Sequence, residues 1–228
     1  MQNDSHMIII ICMLKTAHDV NKLEVGVDEA GYGAFYGRVY AAAVIWPHNF
    51  NHPLIRDSKT LNPNQRDEAY QIVIKHAIAF GVAYRESIVI DQINIRKANF
   101  QAMHEAIDKC RLRPDLILVD GNVFEPYMDR AFEPVAHMLV VKGDQTYAAI
   151  AAASILAKVS RDRYILAQCH KHPQLIEHYH LDRNKGYGAK VHRDGLAKYG
   201  WTDDHRKVGF SEKYVEPFAE KFNQKAES

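Results

Sequence analysis

Val25-Gly26-Val27-Asp28-Glu29-Ala30-Gly31-Tyr32-Gly33-Ala34-Phe35-Tyr36-Gly37-Arg38-Val39-Tyr40-Ala41-Ala42-Ala43-Val44-Ile45 decides how the chain is read. An apolar run ends in two adjacent carboxylates, a glycine-rich turn follows, and a second apolar run leads on to Pro47. Both runs are rich in Val, Ile, Ala and Tyr, so they read as strands over 23–28 and 38–46 joined by a hairpin. Gly31-x-Gly33 after a strand would suit a dinucleotide only if a helix followed to hold the pyrophosphate. The run to Ile45 reads as a strand instead. Removing water from a carboxylate is costly unless something pairs with it, so Asp28 and Glu29 at a buried strand end suggest a cation between them. The glycines suggest that something large approaches the backbone closely. Side chains alternate faces along a strand. The two acids therefore share one site only if the strand ends or bulges at Glu29.

Outward from this stretch, Asn62-Pro63 reads as an N-cap and first helical position, with Ala69, Ile72, Val73 and Ala77 at helical spacing over 63–77. A strand over 80–89 and a helix over 91–111 follow, the latter with Phe100, Met103 and Ile107 on one face. Asp115 to Gly121 is almost wholly apolar, as expected of a strand buried on both faces, and it ends in Asp120. Ligands of open α/β sheets gather beyond such strand ends, although an Asp before Gly is also an ordinary turn residue. Another strand is expected over 135–141. Lys142-Gly143-Asp144 then leads into a helix of small residues, Ala148 to Ala157, in which Asp144 taken alone reads as a cap. The alanines allow that helix to lie close to the sheet or to a ligand. Beyond residue 168, His170, His172, His178 and His180 read as surface histidines without zinc-site spacing. Asn184 to Lys190 sets Tyr187 between glycines and lysines. It is either a platform for a base or sugar or a loop tyrosine packed on the domain. Helices over 190–199 and 213–226 complete the pattern.

The 228 residues suit one large domain or one domain with a small appendage, and 47% hydrophobic with 25% charged residues is ordinary for a soluble protein. Met7 to Leu14 is too short to span a bilayer, which takes about 20 residues, and reads as an N-terminal strand or ordered extension. Cys12, Cys110 and Cys169 form no CxxC pair, which argues against a disulfide framework and for a reducing, cytoplasmic setting. The net charge of +1 does not announce a nucleic-acid binder. Basic residues from Lys158 to Lys207 crowd the last third, and on charge alone a solvated helical face is the better reading of them.

Four acids in three places remain: Asp28 with Glu29, Asp120, and Asp144. Oxygen ligands suit Mg²⁺, which takes a few carboxylates plus substrate phosphate oxygens. Two ions about 3.5–4 Å apart can serve both sides of a phosphodiester. Neither a covalent nucleophile nor a phosphate-binding Walker loop is indicated.

At this point the residues carry a family resemblance. Val27-Asp28-Glu29-Ala30-Gly31-x-Gly33, Asp57-Ser58-Lys59, Ile93-Asn94, Val119-Asp120-Gly121, Lys142-Gly143-Asp144, Ala153-Ser154-Ile155-Leu156-Ala157-Lys158-Val159-x-Arg161-Asp162 and Lys185-Gly186-Tyr187-Gly188-x-Lys190-x-His192 resemble the type 2 ribonucleases H, specifically ribonuclease HII. They run in the family's order over roughly 23–207. The resemblance implies an α/β, ribonuclease H-like fold: a mixed five-stranded sheet with flanking helices and a helical C-terminal region. It divides the chain into an extension (1–22), a catalytic core (23–168) and a substrate-contacting helical part (169–228). It implies cleavage of RNA in RNA–DNA hybrids, and incision beside single ribonucleotides in duplex DNA, leaving 3′-hydroxyl and 5′-phosphate ends. The implied cofactor is Mg²⁺ or Mn²⁺, two ions per site, held by Asp28, Glu29, Asp120 and Asp144. The implied substrate contacts are Gly31, Tyr32, Gly33, Lys59 and Tyr187, with Ser154, Lys158 and Lys185 as backbone contacts. A monomer without membrane association is expected. Ribonuclease HIII, a related branch, carries an extra N-terminal domain, for which the residues before Leu23 are too few.

One position departs from the pattern. The family usually has Gly-Arg-Gly where this chain has Gly31-Tyr32-Gly33. Backbone contacts to a 2′-hydroxyl survive that change, but tyrosine has neither arginine's charge nor its fork of donors. A weakened preference for single-ribonucleotide junctions follows. A second reading follows too, in which the chain is an RNA–DNA hybrid-binding protein with weak or altered nuclease activity.

Overall fold

The computed structural model describes residues 13–208; the helix expected over 213–226 and most of Met7 to Leu14 lie outside the described residues. The elements are β1 (Glu24–Ala30), β2 (Val39–Ile45), α1 (Pro63–His76), β3 (Ala79–Arg85), α2 (Ser87–Ile93), α3 (Ile95–Lys109), β4 (Leu116–Asp120), β5 (Ala136–Val140), α4 (Ala148–Lys171), α5 (Gln174–Tyr179), α6 (Leu181–Asn184) and α7 (Lys190–Tyr199). Short 3₁₀ turns occupy Ser58–Thr60 and Gly143–Gln145.

The five strands form one mixed sheet in the order β3-β2-β1-β4-β5. β1, β2 and β3 pair antiparallel, as the hairpin reading of the glycine turn requires, while β4 and β5 run parallel to β1. The alternation of side chains along β1 sorts its two faces. Val25 and Val27 pack with Phe100, Met103 and Ile107 of α3, and Ala30 packs with the alanines of α4. α4 lies against β1 because neither surface has bulk at the crossing. A Cβ placed on Gly26 would stand 2.3 Å from the Ala149 carbonyl carbon. On the opposite face a Cβ on Gly81 would stand 2.1 Å from the Ala106 carbonyl oxygen, so α3 presses on β3 in the same way.

Local chemistry accounts for the boundaries. Asn62 closes a capping box with Gln65, and Pro63 starts α1. The strand expected over 80–89 stops at Arg85, because Ser87 to Ile93 turn helical and bury Ser87 and Ile90. The single helix expected over 91–111 is two helices. Asn94 sits between them at φ 70°, and its side chain accepts from the Lys97 N–H to cap the second. Asp144 does not cap α4. It lies within the 3₁₀ turn, and the N-cap position falls to Tyr147, which makes no side-chain cap bond. β1 neither ends nor bulges at Glu29: the register Asp28↔Ala42, Glu29↔Ala41, Ala30↔Tyr40 is unbroken. Among the described residues no helix is long and apolar enough to cross a membrane.

The close crossing at Gly26 gives a direct test. Gly26→Ala should destabilise the protein by about 1–3 kcal/mol through overpacking against α4. Gly33→Ala, where a Cβ would meet nothing within 4 Å, should leave stability unchanged. Urea-unfolding midpoints measure both, and equal midpoints for the two variants would contradict the packing account.

Candidate functional site

The register Val27↔Val119 makes Asp28 and Asp120 lateral neighbours on adjacent parallel strands. Both lie on the α4 face, since Leu116 and Leu118 of β4 pack against Ile150 of α4. β4 leaves the sheet after Asp120 at Gly121 (φ 96°), so the acids stand where the sheet stops. Asp120 Oδ1 accepts the Gly143 N–H at 2.7 Å, which ties the end of β4 to the turn carrying Asp144. Asp144 is buried, and its neighbours are Asp57, Asp120 and Lys59. Glu29 projects to the α3 face, where the buried Asn99 hydrogen-bonds it, yet it still feels the charge of Asp120 and of Lys59. The acid pair therefore points to opposite faces of the sheet near its end, without a bulge, and both acids feel the charge of Asp120.

Burial, with the charges of Glu29 and Asp120 adding to it, pushes the Asp28 carboxyl well above the usual range; hydrogen bonds from Ser154 and the Glu29 N–H work the other way. Burial and Asp120 raise Glu29 to about 7. Burial, Asp57 and Asp120 raise Asp144 to about 6. Partial burial opposes the charge of Lys59, but the surrounding Asp144, Asp57, Asp28 and Asp120 outweigh it and raise its pKa. The donor set is oxygen only, which suits a hard divalent cation. Mutual repulsion among the carboxylates is relieved by positive charge, of which exposed Lys59 supplies one unit. Among the described residues no three carboxylate, imidazole or thiolate groups converge closely enough to hold an ion as they stand. Asp28 Oδ1 is instead turned to the Glu29 N–H at 2.7 Å, and Asp120 Oδ1 to Gly143.

The glycine turn and the Tyr187 loop meet beside these acids. The Gly31 N–H donates to Tyr187 Oη at 3.1 Å, and Ala34 bridges Tyr187 through the backbone. Gly31 adopts φ 91°, and a Cβ there would stand 2.0 Å from Arg161 Nε, so only glycine fits. Tyr32 is 40% exposed at the tip, and Gly33 faces open space. The Tyr187 ring lies 4.9 Å from the Arg161 guanidinium and 5.7 Å from Lys158 Nζ. Tyr187 thus packs on the domain and borders the site at once.

The remaining sequence-derived candidates are placed as follows. Ser154, on α4, touches Asp28 and bonds Ser58 Oγ at 3.1 Å. It supports an acid rather than presenting itself to solvent. Lys158 is committed to Asp162 at 2.7 Å, and burial lowers its pKa. Lys185 Nζ donates to the Asp182 carbonyl, while its own carbonyl accepts from Arg161 Nη1. Of the three candidate lysines Lys59 is the exposed one, and it feels the charges of Asp144, Asp57, Asp28 and Asp120.

Sequence reasoning assigned no part to Asn99, Asp57, Arg161 or Arg206. Arg161 and Arg206 were counted in a solvated basic face, yet both are wholly buried. Arg161 donates to the carbonyls of Arg38, Lys185 and Tyr36. Asn99 sits mid-helix on α3 with no local signal, and only the sheet register brings it to Glu29. Asp57 caps the 3₁₀ turn through the Lys59 N–H and also accepts from Gln145.

A mixed sheet in the order 3-2-1-4-5, with acids at the ends of its first and fourth strands, is a ribonuclease H-like fold. The family model described as Ribonuclease HII matches residues 25–213. A ribonuclease HII of Syntrophus aciditrophicus is 44% identical over 192 residues, covering 84% of this chain and 85% of that one. A ribonuclease HII of Parabacteroides distasonis is 44% identical over 196 residues, covering 86% and 94%. The crystal structure of the ribonuclease H2 from Pyrococcus horikoshii superposes with a TM-score of 0.69 at 22% identity, over 88% of this chain and 99% of that one. The chain belongs to the ribonuclease HII family. It is accordingly a ribonuclease H, an endonuclease of a divalent-metal-dependent family that acts on RNA–DNA hybrids.

The raised pKa values make a prediction about stability. Folded-state values above the unfolded ones mean that the folded protein binds more protons, so these groups favour folding below about pH 4 and that contribution is lost as pH rises through about 6 and 7. In EDTA, Asp144→Asn should therefore gain stability relative to wild type between about pH 4 and pH 7. Urea midpoints across that range check it, and a difference independent of pH would contradict the electrostatic account.

Proposed function

We propose that Asp28, Glu29, Asp120 and Asp144 hold two divalent ions, Mg²⁺ or Mn²⁺, and that RNA paired with DNA is hydrolysed there to 3′-hydroxyl and 5′-phosphate ends. The observation that carries this reading is the set of neighbouring buried carboxylates near the sheet end that raise one another's pKa values, with exposed Lys59 feeling their charge. Bound ions would neutralise the acids, lower the pKa of an attacking water and stabilise the leaving oxygen. The protein's share is positioning. Asp28 and Asp120, whose Oδ1 atoms accept from the Glu29 and Gly143 N–H groups, would hold the ions from the α4 face, and Glu29 would do so from the α3 face, its carboxylate held by Asn99. Lys59 attracts the phosphodiester.

The turn Gly31-Tyr32-Gly33 and Tyr187 meet the ribose beside the scissile phosphate. Gly33 leaves room for close approach, and Tyr187 is held by Gly31 from one side and by Arg161 from below. The C-terminal helical region contributes this loop and so touches substrate, while the sheet and α4 form the catalytic core. Incision beside single ribonucleotides in duplex DNA belongs to the same site. Exposed Tyr32 lacks a guanidinium for the phosphate there, so that activity is the weaker of the two. A cytoplasmic, reducing location suits the two free, buried thiols of Cys110 and Cys169.

Two experiments follow. Asp120→Asn should reduce Mn²⁺-dependent cleavage of a labelled RNA–DNA hybrid by more than about 100-fold, since even outer partners of a metal ligand cost 10–100-fold. Its circular dichroism should stay native, and full activity would remove Asp120 from the site. Wild type should cleave a continuous hybrid with higher kcat/KM than a duplex holding one ribonucleotide. A strong preference for the single ribonucleotide would refute the role given to Tyr32.

A further inference from the structure

The segment 200–207 returns behind the glycine turn. It is built around His205 and Arg206, both wholly buried. His205 Nδ1 accepts the Thr202 N–H at 3.0 Å and meets Thr202 Oγ1 at 2.8 Å, its Nε2 meets His192 Nε2 at 3.0 Å, and burial pushes its pKa down to about 3, so it is a neutral strut. Arg206 is different. Its Nε donates to the Gly37 carbonyl at 2.8 Å, and its Nη1 to the carbonyls of Gly31 at 2.7 Å and Tyr32 at 3.1 Å. Its own N–H donates to the Phe35 carbonyl, and the Gly37 N–H donates to the Asp204 carbonyl, both at 2.8 Å. Both ends of the turn are thereby fastened to one side chain and its strand of backbone.

A buried guanidinium is costly, and an apolar residue of similar volume would fill the space more cheaply. Here a second guanidinium, Arg161, lies close enough to repel it, and Arg206 Nη2 has no partner among the described residues. What no apolar residue or lysine supplies is a rigid fork that holds three carbonyls at once. The consequence follows from peptide planarity. In a trans peptide the carbonyl and the next N–H point in opposite directions. Drawing the Gly31 and Tyr32 carbonyls inward onto Arg206 aims the N–H groups of Tyr32 and Gly33 outward. That is the side on which Tyr32 is exposed and Gly33 is open.

We propose that Arg206 is a positioning residue for substrate selection, setting the peptide planes of residues 31–33 so that two N–H donors face the sugar of the bound strand. This rests on the reading of the site as a hybrid-cleaving centre. Lysine keeps the charge and loses the fork.

The test takes Arg206→Lys in the full chain and reads hydrogen exchange and steady-state kinetics together. Amides of residues 31–37 should exchange at least about tenfold faster, with β1 and α4 unchanged. KM for a continuous RNA–DNA hybrid should rise at least about fivefold with kcat nearly constant, the pattern of lost uniform binding. If Arg206→Lys does not fold, Thr202→Val is used, which removes the hydroxyl bonded to His205 and loosens the segment from outside the turn; the same changes should follow at smaller size. Exchange accelerated uniformly over the whole protein, or unaltered KM in a folded variant, would overturn the proposal. A wild-type protein that leaves the hybrid intact would instead overturn the functional reading on which it rests.

Discussion

Carboxylates packed side by side in a protein interior repel one another, and that repulsion is the constraint around which this molecule is arranged. Asp28 is held in β1 by a regular antiparallel register, and its neighbour Asp120 is held by the parallel pairing of β4. Neither can move away without breaking the sheet. Burial and proximity together raise the pKa values of Asp28, Glu29 and Asp144, which records the electrostatic strain of keeping them charged. Perturbed groups clustered at a sheet end mark a functional site. The fold tolerates the strain because the same sheet is fixed elsewhere by alanine- and glycine-lined contacts with α3 and α4.

Those close contacts also connect the acid cluster to the substrate side. α4 presses on β1 at Gly26, presents Ser154 to Asp28, and one and two turns further supplies Lys158 and Arg161 beside Tyr187. A single helix thus connects the acids with the loop that carries Tyr187. The glycine turn is held from two sides, by Tyr187 at the Gly31 N–H and by Arg206 at the Gly31 and Tyr32 carbonyls. The acid pair and the glycine turn are therefore separately supported parts of one stretch.

Much of this was legible in the sequence because it depended on local pattern. The hairpin around Gly31-Tyr32-Gly33, the Asn62-Pro63 cap and the buried run into Asp120 all follow from residue type and spacing. The misreadings share a cause: local signals were outweighed by tertiary ones. Asn94 breaks an otherwise helical run by taking a positive φ. Asp144 reads as a helix cap until the Asp120–Gly143 bond draws its turn to the sheet. Alternation requires a bulge for Glu29 to join Asp28 on one face, whereas the register runs unbroken and the two acids point to opposite faces while both feel the charge of Asp120. Arg161 and Arg206 looked like surface charge because burial of an arginine on backbone carbonyls leaves no mark in one sequence.

The central claim is that Asp28, Glu29, Asp120 and Asp144 form a divalent-cation site. Titration calorimetry of Mn²⁺ into the protein at one fixed, mildly alkaline pH tests it most directly, comparing wild type with Asp28→Asn. The account predicts saturable binding by wild type and a loss of at least about tenfold in affinity in the variant. Equal affinity in the two proteins, or no saturable binding by wild type, would contradict it.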